Sequence, residues 1–139
     1  MCEDKKEHLK MIENVITRMA NNSFQLKSWT VSLITATLIF ADLKKQVCFI
    51  WIVFIPIIVF WVLDAYYLQL ERRYRKLYNF VQKDYINKTN EVSLFDMSLQ
   101  KYNVDKIIKI MFSKSICPIY FFIIIATLVV LYVSRCIVK

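Results

Sequence analysis

The residue best placed to do chemistry in this sequence is Asp64, which directly follows an uncharged apolar run ending at Leu63. A carboxylate at membrane depth is costly, so it usually faces protein or water instead of lipid. One interpretation is that Asp64 pairs with a lysine or arginine of a neighbouring helix just below the lipid headgroups. The other is a ring of Asp64 carboxylates at the cytoplasmic mouth of an oligomeric pore.

The rest of the sequence does not predict a catalytic or cofactor-binding site. The one histidine, His8, lies among charged residues near the N-terminus, where we expect it to be solvated. The chain contains no glycine, which excludes the usual glycine-rich loops that bind phosphate. The cysteines do not have the spacing of metal ligands. We therefore expect no enzymatic activity, no cofactor and no bound metal.

Small hydroxyl residues form a second candidate site. Ser28, Ser32 and Thr35 share one helical face at i, i+4 and i+7, and Thr30 and Thr37 lie on the opposite face. Such residues let membrane helices approach closely and hydrogen-bond to each other, which favours a helix interface. The same hydroxyl groups could instead line a watery path through a pore.

The cysteines offer one candidate crosslink. Cys48 and Cys136 are predicted to lie at the outer ends of their helices, so a disulfide is geometrically conceivable in an oxidising compartment. The alternative is that all four cysteines are unpaired thiols.

The elements that must position these residues are apolar blocks without charge. Hydrophobic residues make up 58% of the 139 residues. The twenty residues Ser115–Ser134 are uncharged, which matches the ~20 residues that cross a ~30 Å hydrocarbon layer as an α-helix. Lys114 and Arg135 flank this block, where long side chains reach the interfaces. A buried core helix is the soluble alternative, but a domain this small has no other layer to cover such segments.

Two further blocks precede the last one. Gln46–Leu63 is uncharged and carries Trp51 and Trp61 near its ends, as an interfacial aromatic belt does. Ser28–Ala41 offers only fourteen uncharged residues, a length more typical of a core or re-entrant helix. Because flanking lysines can reach the interface and the link to the next block is short, we predict a span that pairs with the second block as a hairpin. A half-inserted helix is the alternative.

Lysine and arginine are unevenly distributed between the segments that link the spans. Residues 65–114 hold ten of the nineteen, including the cluster Arg72, Arg73, Arg75 and Lys76, and residues 1–27 hold five. The positive-inside rule places both segments in the cytoplasm, and three spans then place the C-terminus outside. The net charge of +8 is explained by this topology and by attraction to anionic lipid, so we expect no nucleic-acid partner.

The cytoplasmic segments are predicted to be helical. Apolar residues recur at three- and four-residue steps over residues 9–19, which predicts an amphipathic helix that lies on the lipid surface or packs against another helix. No glycine or proline interrupts residues 65–85, so the second span is expected to continue as one long helix. Six of its residues follow a heptad-like rhythm, here called the seam: Leu63, Tyr67, Leu70, Tyr74, Leu77 and Val81.

The seam requires a partner helix. That partner is either the N-terminal helix of the same chain or the seam of other copies around a symmetry axis, and the sequence leaves both open. Beyond the seam, Ser93 and Asp96 have the spacing of a capping box. Residues 105–112 resume an amphipathic pattern, and Pro118 suits the first turn of the last helix.

Together these patterns predict an all-α integral membrane protein with three transmembrane helices, an N-terminal amphipathic helix and a cytoplasmic helical extension of the second span. The predicted segments are a cytoplasmic amphipathic helix at 1–25, a transmembrane hairpin of two spans at 26–66, a cytoplasmic helical segment at 67–114, a third transmembrane helix at 115–135 and a short tail at 136–139.

Four stretches of the sequence carry a resemblance to a known group of proteins: His8–Trp29, Leu63–Tyr67, Glu71–Tyr78 and Met111–Lys114. They cover 39 of the 139 residues and resemble small, uncharacterised multi-pass proteins of the bacterial inner membrane. In general plan the chain is similar to small transmembrane effectors of bacterial antiphage defence systems. That similarity implies membrane disruption or ion flow on activation, and no effector motif carries over residue by residue.

Two functions are compatible with these features. The first is a homo-oligomer that conducts ions or perturbs the membrane in bacterial defence, with the hydroxyl residues, Asp64 and the seam at its interfaces. The second is a non-conducting anchor or scaffold in the lipid bilayer that recruits a cytoplasmic protein partner through its basic helical part. A monomer whose seam is covered by its own N-terminal helix would favour the second function.

Overall fold

The computed structural model describes residues 2–44, 52–87, 93–99 and 101–137, with side chains described over 3–40, 52–87, 93–99 and 101–133. Within these ranges the chain forms four helices and no strand. The helices are α1 (Cys2–Lys44), α2 (Phe54–Asn87), α3 (Ile107–Met111) and α4 (Cys117–Ile137). The all-α prediction is confirmed.

The first helix is continuous across the boundary that the sequence predicted at residues 25–26. α1 has 43 residues and is therefore about 64 Å long at ~1.5 Å per residue. No glycine or proline interrupts it, and Glu3 and Asp4 place negative charge in its first turn, where the helix dipole favours it. The predicted N-terminal amphipathic helix and the first predicted span are thus two parts of one element.

The second helix confirms the prediction of one long helix that runs on past Asp64. α2 has 34 residues, or about 51 Å, and Pro56 lies in its first turn, where a missing N–H is tolerated. α1 and α2 pack as an antiparallel hairpin, because Ile34 shares a hydrophobic cluster with Ile57 while Ile12 shares another with Val81.

The hairpin contains two hydrophobic clusters. One gathers Ile57, Tyr120 and their buried neighbours Ile34, Val53, Ala65, Ile110 and Ile116. The other joins Ile12 of α1 to Leu77 and Val81 of α2, with Met97, Leu99 and Tyr102 packed against it from the returning chain. The N-terminal part of α1 therefore has a covered apolar face, and it packs on α2 within the chain.

The segment that follows α2 returns along that helix in the opposite direction. Lys76 Nζ donates to the carbonyl of Asn103 at 2.8 Å, and Gln69 Nε2 donates to that of Asp105 at 2.9 Å. Trp61 Nε1 donates to the carbonyl of Met111 at 3.1 Å. These bonds fix residues 103–111 beside α2. Pro118 then lies in the first turn of α4, as the sequence predicted.

One local prediction in the returning segment is wrong. Ser93 and Asp96 do not form a capping box, because no helix begins within residues 93–99. Instead Asp96 N donates to the carbonyl of Ser93 at 3.1 Å in a turn, and the Asp96 carboxylate accepts from Ser98 N at 2.9 Å. Phe95 has φ 64°, a left-handed conformation that cannot continue into a helix. The predicted helix at 105–112 is reduced to α3, since Lys106 is extended with ψ 149°.

Length and composition identify one candidate span among the described residues. α2 is long and apolar enough to cross a membrane, with a mean hydropathy of 1.4 over its best window. The apolar stretch Cys117–Val133 of α4 is shorter than such a window, and α1 does not qualify within the described part of the chain. Membrane association therefore has the support of one helix, and three spans remain an expectation.

Candidate functional site

A buried polar layer, consisting of Ser23, Lys27 and Asp64, joins α1 to α2 beside the first hydrophobic cluster, which continues past it through Ala65. Asp64 is fully buried, and the side chain of Lys27 is 23% exposed. Lys27 Nζ lies 2.9 Å from Oδ1 and 2.8 Å from Oδ2 of Asp64. Ser23 Oγ donates to Oδ1 and accepts from Lys27 Nζ at 2.8 Å. The sequence permits this because Ser23 and Lys27 are one helical turn apart on the face of α1 that meets α2.

The polar layer neutralises a charge that would otherwise be costly. An isolated carboxylate in a low-dielectric interior is strongly disfavoured, whereas a carboxylate with an ammonium ion and a hydroxyl donor is compensated. The ammonium ion and the Ser23 hydroxyl both donate to Oδ1, while Oδ2 accepts no hydrogen bond within the described residues and is compensated by the charge of Lys27. Of the two roles considered for Asp64, this is the pairing with a lysine of a neighbouring helix.

The predicted stripe of hydroxyl residues on α1 does not form a helix interface within the chain. Ser28, Ser32 and Thr35 are all exposed, and Thr30 on the opposite face is buried against the rest of the molecule. Ser32 Oγ donates to the carbonyl of Ser28 at 3.1 Å, and Thr35 Oγ1 donates to that of Val31 at 2.9 Å. The hydroxyl groups of Ser32 and Thr35 are thus satisfied by their own helix, and the face that they share with Ser28 is exposed.

The seam is only partly the buried face of α2. Leu77 and Val81 are buried against Ile12, with Tyr74 beside them, so the intrachain partner is the one seen in this part. Leu63, by contrast, is 38% exposed, and its neighbour Asp64 takes the inward position. The apolar pattern therefore predicts the wrong residue here: Asp64 is buried in place of Leu63, because Lys27 compensates its carboxylate. Tyr67 and Leu70 are half-buried.

An aromatic cluster joins the beginning of α4 to α2 close to the polar layer. Tyr120 is fully buried, its hydroxyl donates to the carbonyl of Phe60 at 3.1 Å, and its ring stacks on Trp61 at 5.7 Å. The ring of Phe112 contacts that of Trp61 edge-on, with a centroid distance of 5.5 Å. The hydroxyl and the indole N–H both reach backbone carbonyls, which satisfies these polar groups where they are buried.

The expectation that His8 is solvated is wrong, because His8 is fully buried. Its Nδ1 is hydrogen-bonded to the Tyr85 hydroxyl, and its Nε2 lies 3.2 Å from the carbonyl oxygen of Asp96. Its ring also packs against Phe95 at 5.7 Å. The charged neighbours in sequence misled the prediction, since on a helix they point to other faces. His8 ties the ends of α1 and α2 to the returning segment.

The basic cluster lies on α2 within the polar part of the hairpin. Arg72, Arg75 and Lys76 line one open groove, whereas Arg73 does not. Lys106 and Lys109 line the same groove from the returning segment. The sequence did not indicate these two lysines, because only the return of residues 103–111 along α2 brings them near.

The structure describes only some of the residues on which the cysteine predictions depend. Cys117 is a free, half-buried thiol. The Cys48–Cys136 pair lies outside the described part, since Cys48 and the side chain of Cys136 are not described. Among the described residues, no three His, Cys, Asp or Glu side chains come together in a way that could hold a metal ion.

Comparison of the chain with protein-family models, with curated proteins and with solved structures finds no match. The polar layer, the open hydroxyl face of α1 and the basic groove are therefore the features from which a function has to be argued.

Proposed function

We propose that this protein is a three-span membrane anchor that holds a basic helical unit at the cytoplasmic face of the inner membrane, where it recruits a cytoplasmic partner. The apolar half of the molecule, defined as residues 28–44, 52–63 and 117–137, would lie in the bilayer. The polar half, defined as residues 2–22, 65–87, 93–99 and 101–111, would lie in the cytoplasm. The N-terminus is then cytoplasmic and the C-terminus outside.

The observation that carries this proposal is where large hydrophobic side chains are exposed. Most of those in the described part of the chain belong to the apolar half, and they surround all three of its helices. Examples are Phe40 (64% exposed), Ile55 (59%) and Phe122 (72%). Water-soluble proteins rarely leave so large a continuous apolar surface uncovered, whereas lipid tails would cover it without cost.

The lengths of α1 and α4 are compatible with spans. From Lys27 to Lys44, α1 rises about 26 Å. α4 has 21 residues, about 32 Å, and carries no charged residue before Arg135. Both values approach the ~30 Å hydrocarbon thickness. The polar layer would then lie at the cytoplasmic boundary, where the ammonium ion of Lys27 reaches the headgroups while its carboxylate partner stays covered.

The contacts of the polar layer favour an anchor over a channel. Asp64 is already neutralised by Lys27 within one chain, so it has no charge to contribute to a ring around a pore. Leu77 and Val81 are already covered by Ile12, so the C-terminal part of the seam is not available to other copies. Both features that motivated a pore at these positions are used inside the monomer.

Insertion is tested by membrane fractionation of the full chain. The protein should stay in the membrane pellet after alkaline carbonate and be released by detergent only. Non-conduction is tested with purified protein in liposomes loaded with an ion-sensitive dye, where the expected result is no flux above empty liposomes. Release by carbonate would overturn the membrane assignment. Flux that is abolished in Asp64→Asn would overturn the anchor and establish conduction.

A conducting or membrane-perturbing homo-oligomer is the second candidate, because one observation favours contact between copies. Ser28, Ser32 and Thr35 form an exposed stripe on the apolar half of α1, and small residues allow close packing of helices in lipid. If copies associate through this stripe, Ser32→Leu should reduce the oligomer fraction measured by light scattering in detergent, and Ser98→Leu, which lies outside the stripe, should not. If the wild-type protein and the Ser98→Leu control are both monomeric, this candidate is excluded.

A further inference from the structure

An open groove on the polar half has the chemistry of an anion site. It has a volume of about 720 Å³ and lies between α2 and the returning segment. Five cationic side chains line it: Arg72, Arg75, Lys76, Lys106 and Lys109. Asp105 is the one carboxylate among the lining residues. The groove therefore has a clear excess of positive charge.

Existing contacts hold some of these cations in place and leave others available. Arg75 Nε lies 2.8 Å from the Glu71 carboxylate, and Lys109 Nζ lies 2.8 Å from that of Asp105. The side chains of Arg72 and Lys106 form no hydrogen bond or ion pair with the described residues. The hydrogen bond and charge of Lys109, followed by the charges of Arg72 and Lys76, lower the pKa of the Asp105 carboxyl. A carboxylate that stays ionised here keeps Lys109 in position.

Exposed apolar side chains lie on and directly after α3, the helix that supplies the groove residue Lys109. Ile108 is 70% exposed and Phe112 is 64% exposed, and the two are one helical turn apart. Phe112 also lies beside Trp61, which is on the membrane side of Asp64 in the proposed arrangement. Cations that suit a phosphate thus share the returning segment with exposed hydrophobic surface that a soluble anion would leave uncovered.

We propose that this groove binds the phosphate of an anionic phospholipid from the cytoplasmic leaflet, with its acyl chains against Ile108 and Phe112. This inference rests on the membrane insertion proposed above. A guanidinium group can form two parallel hydrogen bonds to a phosphate, which suits Arg72, and Lys106 adds a second charge from the opposite wall. Arg72 lies eight residues beyond Asp64, about 12 Å along α2, within reach of the headgroup region.

The test uses the full chain in neutral detergent with fluorescent short-chain phosphatidylglycerol as the probe and phosphatidylcholine as the zwitterionic reference. The variant R72Q/K106Q removes two charges from the groove. The matched control K10Q/K83Q removes two charges from exposed positions outside it. We expect phosphatidylglycerol to bind in preference to phosphatidylcholine, with affinity reduced roughly 10- to 30-fold in the groove variant and less than about 2-fold in the control.

Competition with ATP and inorganic phosphate distinguishes the two sources of a phosphate group. Displacement of the probe by micromolar ATP, or binding of ATP without binding of lipid, would overturn the lipid assignment in favour of a soluble phosphate ligand. Equal loss in both variants would overturn the groove as a site. Membrane fractionation separates this inference from the proposed function. Wild-type protein that resists carbonate but binds no phosphatidylglycerol refutes the groove alone, and protein that carbonate releases refutes the anchor.

Discussion

The two halves of the α1–α2 hairpin use polar side chains in different ways. In the apolar half, each of the hydroxyl residues Thr30, Ser32, Thr35, Thr37 and Thr127 donates to the carbonyl four residues earlier in its own helix. In the polar half, His8, Gln69 and Lys76 instead reach carbonyl groups far away in the chain. The contrast is one of degree, since Thr17 makes the local bond in the polar half, and Trp61 and Tyr120 of the apolar half make long-range bonds to Met111 and Phe60.

This contrast indicates what holds each half together. Five serine and threonine side chains of the apolar half bond within their own helix, as suits helices in lipid, and this half exposes hydrophobic side chains outward. The polar half instead buries a small core under a returning segment that is fastened by hydrogen bonds. The polar layer, with its fully buried Asp64, is the junction between the two arrangements.

The largest expected effect is at this junction. Lys27→Met should leave the buried Asp64 carboxylate without its counter-ion and lower the free energy of unfolding by about 3–5 kcal/mol. Unfolding would be measured by far-UV circular dichroism in detergent with increasing sodium dodecyl sulfate. The double variant K27M/D64L should recover most of the loss, because no uncompensated charge remains.

The exposed pair Arg75–Glu71 is the matched control for that experiment. Arg75→Met should cost at most about 1 kcal/mol, since exposed ion pairs contribute little. A Lys27→Met loss no larger than that of Arg75→Met would show that the polar layer is not the junction proposed here.

The second prediction compares two positions of the seam. Leu77→Ala should destabilise the protein by about 2–5 kcal/mol, because Leu77 is 2% exposed and its removal leaves a cavity against Ile12. Leu63→Ala, at a 38% exposed position, should cost less than about 1 kcal/mol in the same assay. The reverse order would restore Leu63 to the buried face and make Asp64 the outward residue.

The third prediction concerns the fastening of the returning segment. His8→Ala should remove the bonds to Tyr85 and to the Asp96 carbonyl and cost about 1–3 kcal/mol. Hydrogen exchange should increase in residues 93–99 while exchange in the apolar half is unchanged. Lys10→Ala, at an exposed position on the same helix, should leave exchange unaltered everywhere. Faster exchange throughout the molecule would mean that the two halves are not independent in this respect.

The smallest expected effect is a dependence on alkaline pH that is confined to the polar half. Burial, followed by the charge of Asp96, raises the pKa of Tyr102 above its usual 10.0. Folding therefore favours the neutral phenol, and this stabilisation is present below pH 10 and is lost as the pH rises through the pKa of the folded state. Absorbance at 295 nm should show late tyrosinate ionisation, and Tyr102→Phe should reduce its amplitude by one tyrosine. An unchanged transition in that variant would assign it to another tyrosine.

The sequence predicts the long helices well, because the absence of glycine and the scarcity of proline leave few places for a helix to stop. It also predicts that Asp64 requires a partner, since a carboxylate next to an apolar run has few stable environments. It does not identify Ser23 and Lys27 as that partner, because their position depends on how far α1 slides along α2. His8, Lys106 and Lys109 are missed for the same reason, since their surroundings are set by the returning segment.

The central claim is that the polar layer marks the boundary between lipid and water. Spin labels on single cysteines in a cysteine-free background, placed along the exposed face of α2 at Ile55, Val62, Phe80 and Lys83, measure it directly in liposomes. We predict that the labels at Ile55 and Val62 collide mainly with oxygen and that those at Phe80 and Lys83 collide mainly with a water-soluble nickel complex. The preferred collision partner should therefore change between Val62 and Phe80. Equal access of the nickel complex at all four positions would contradict the account.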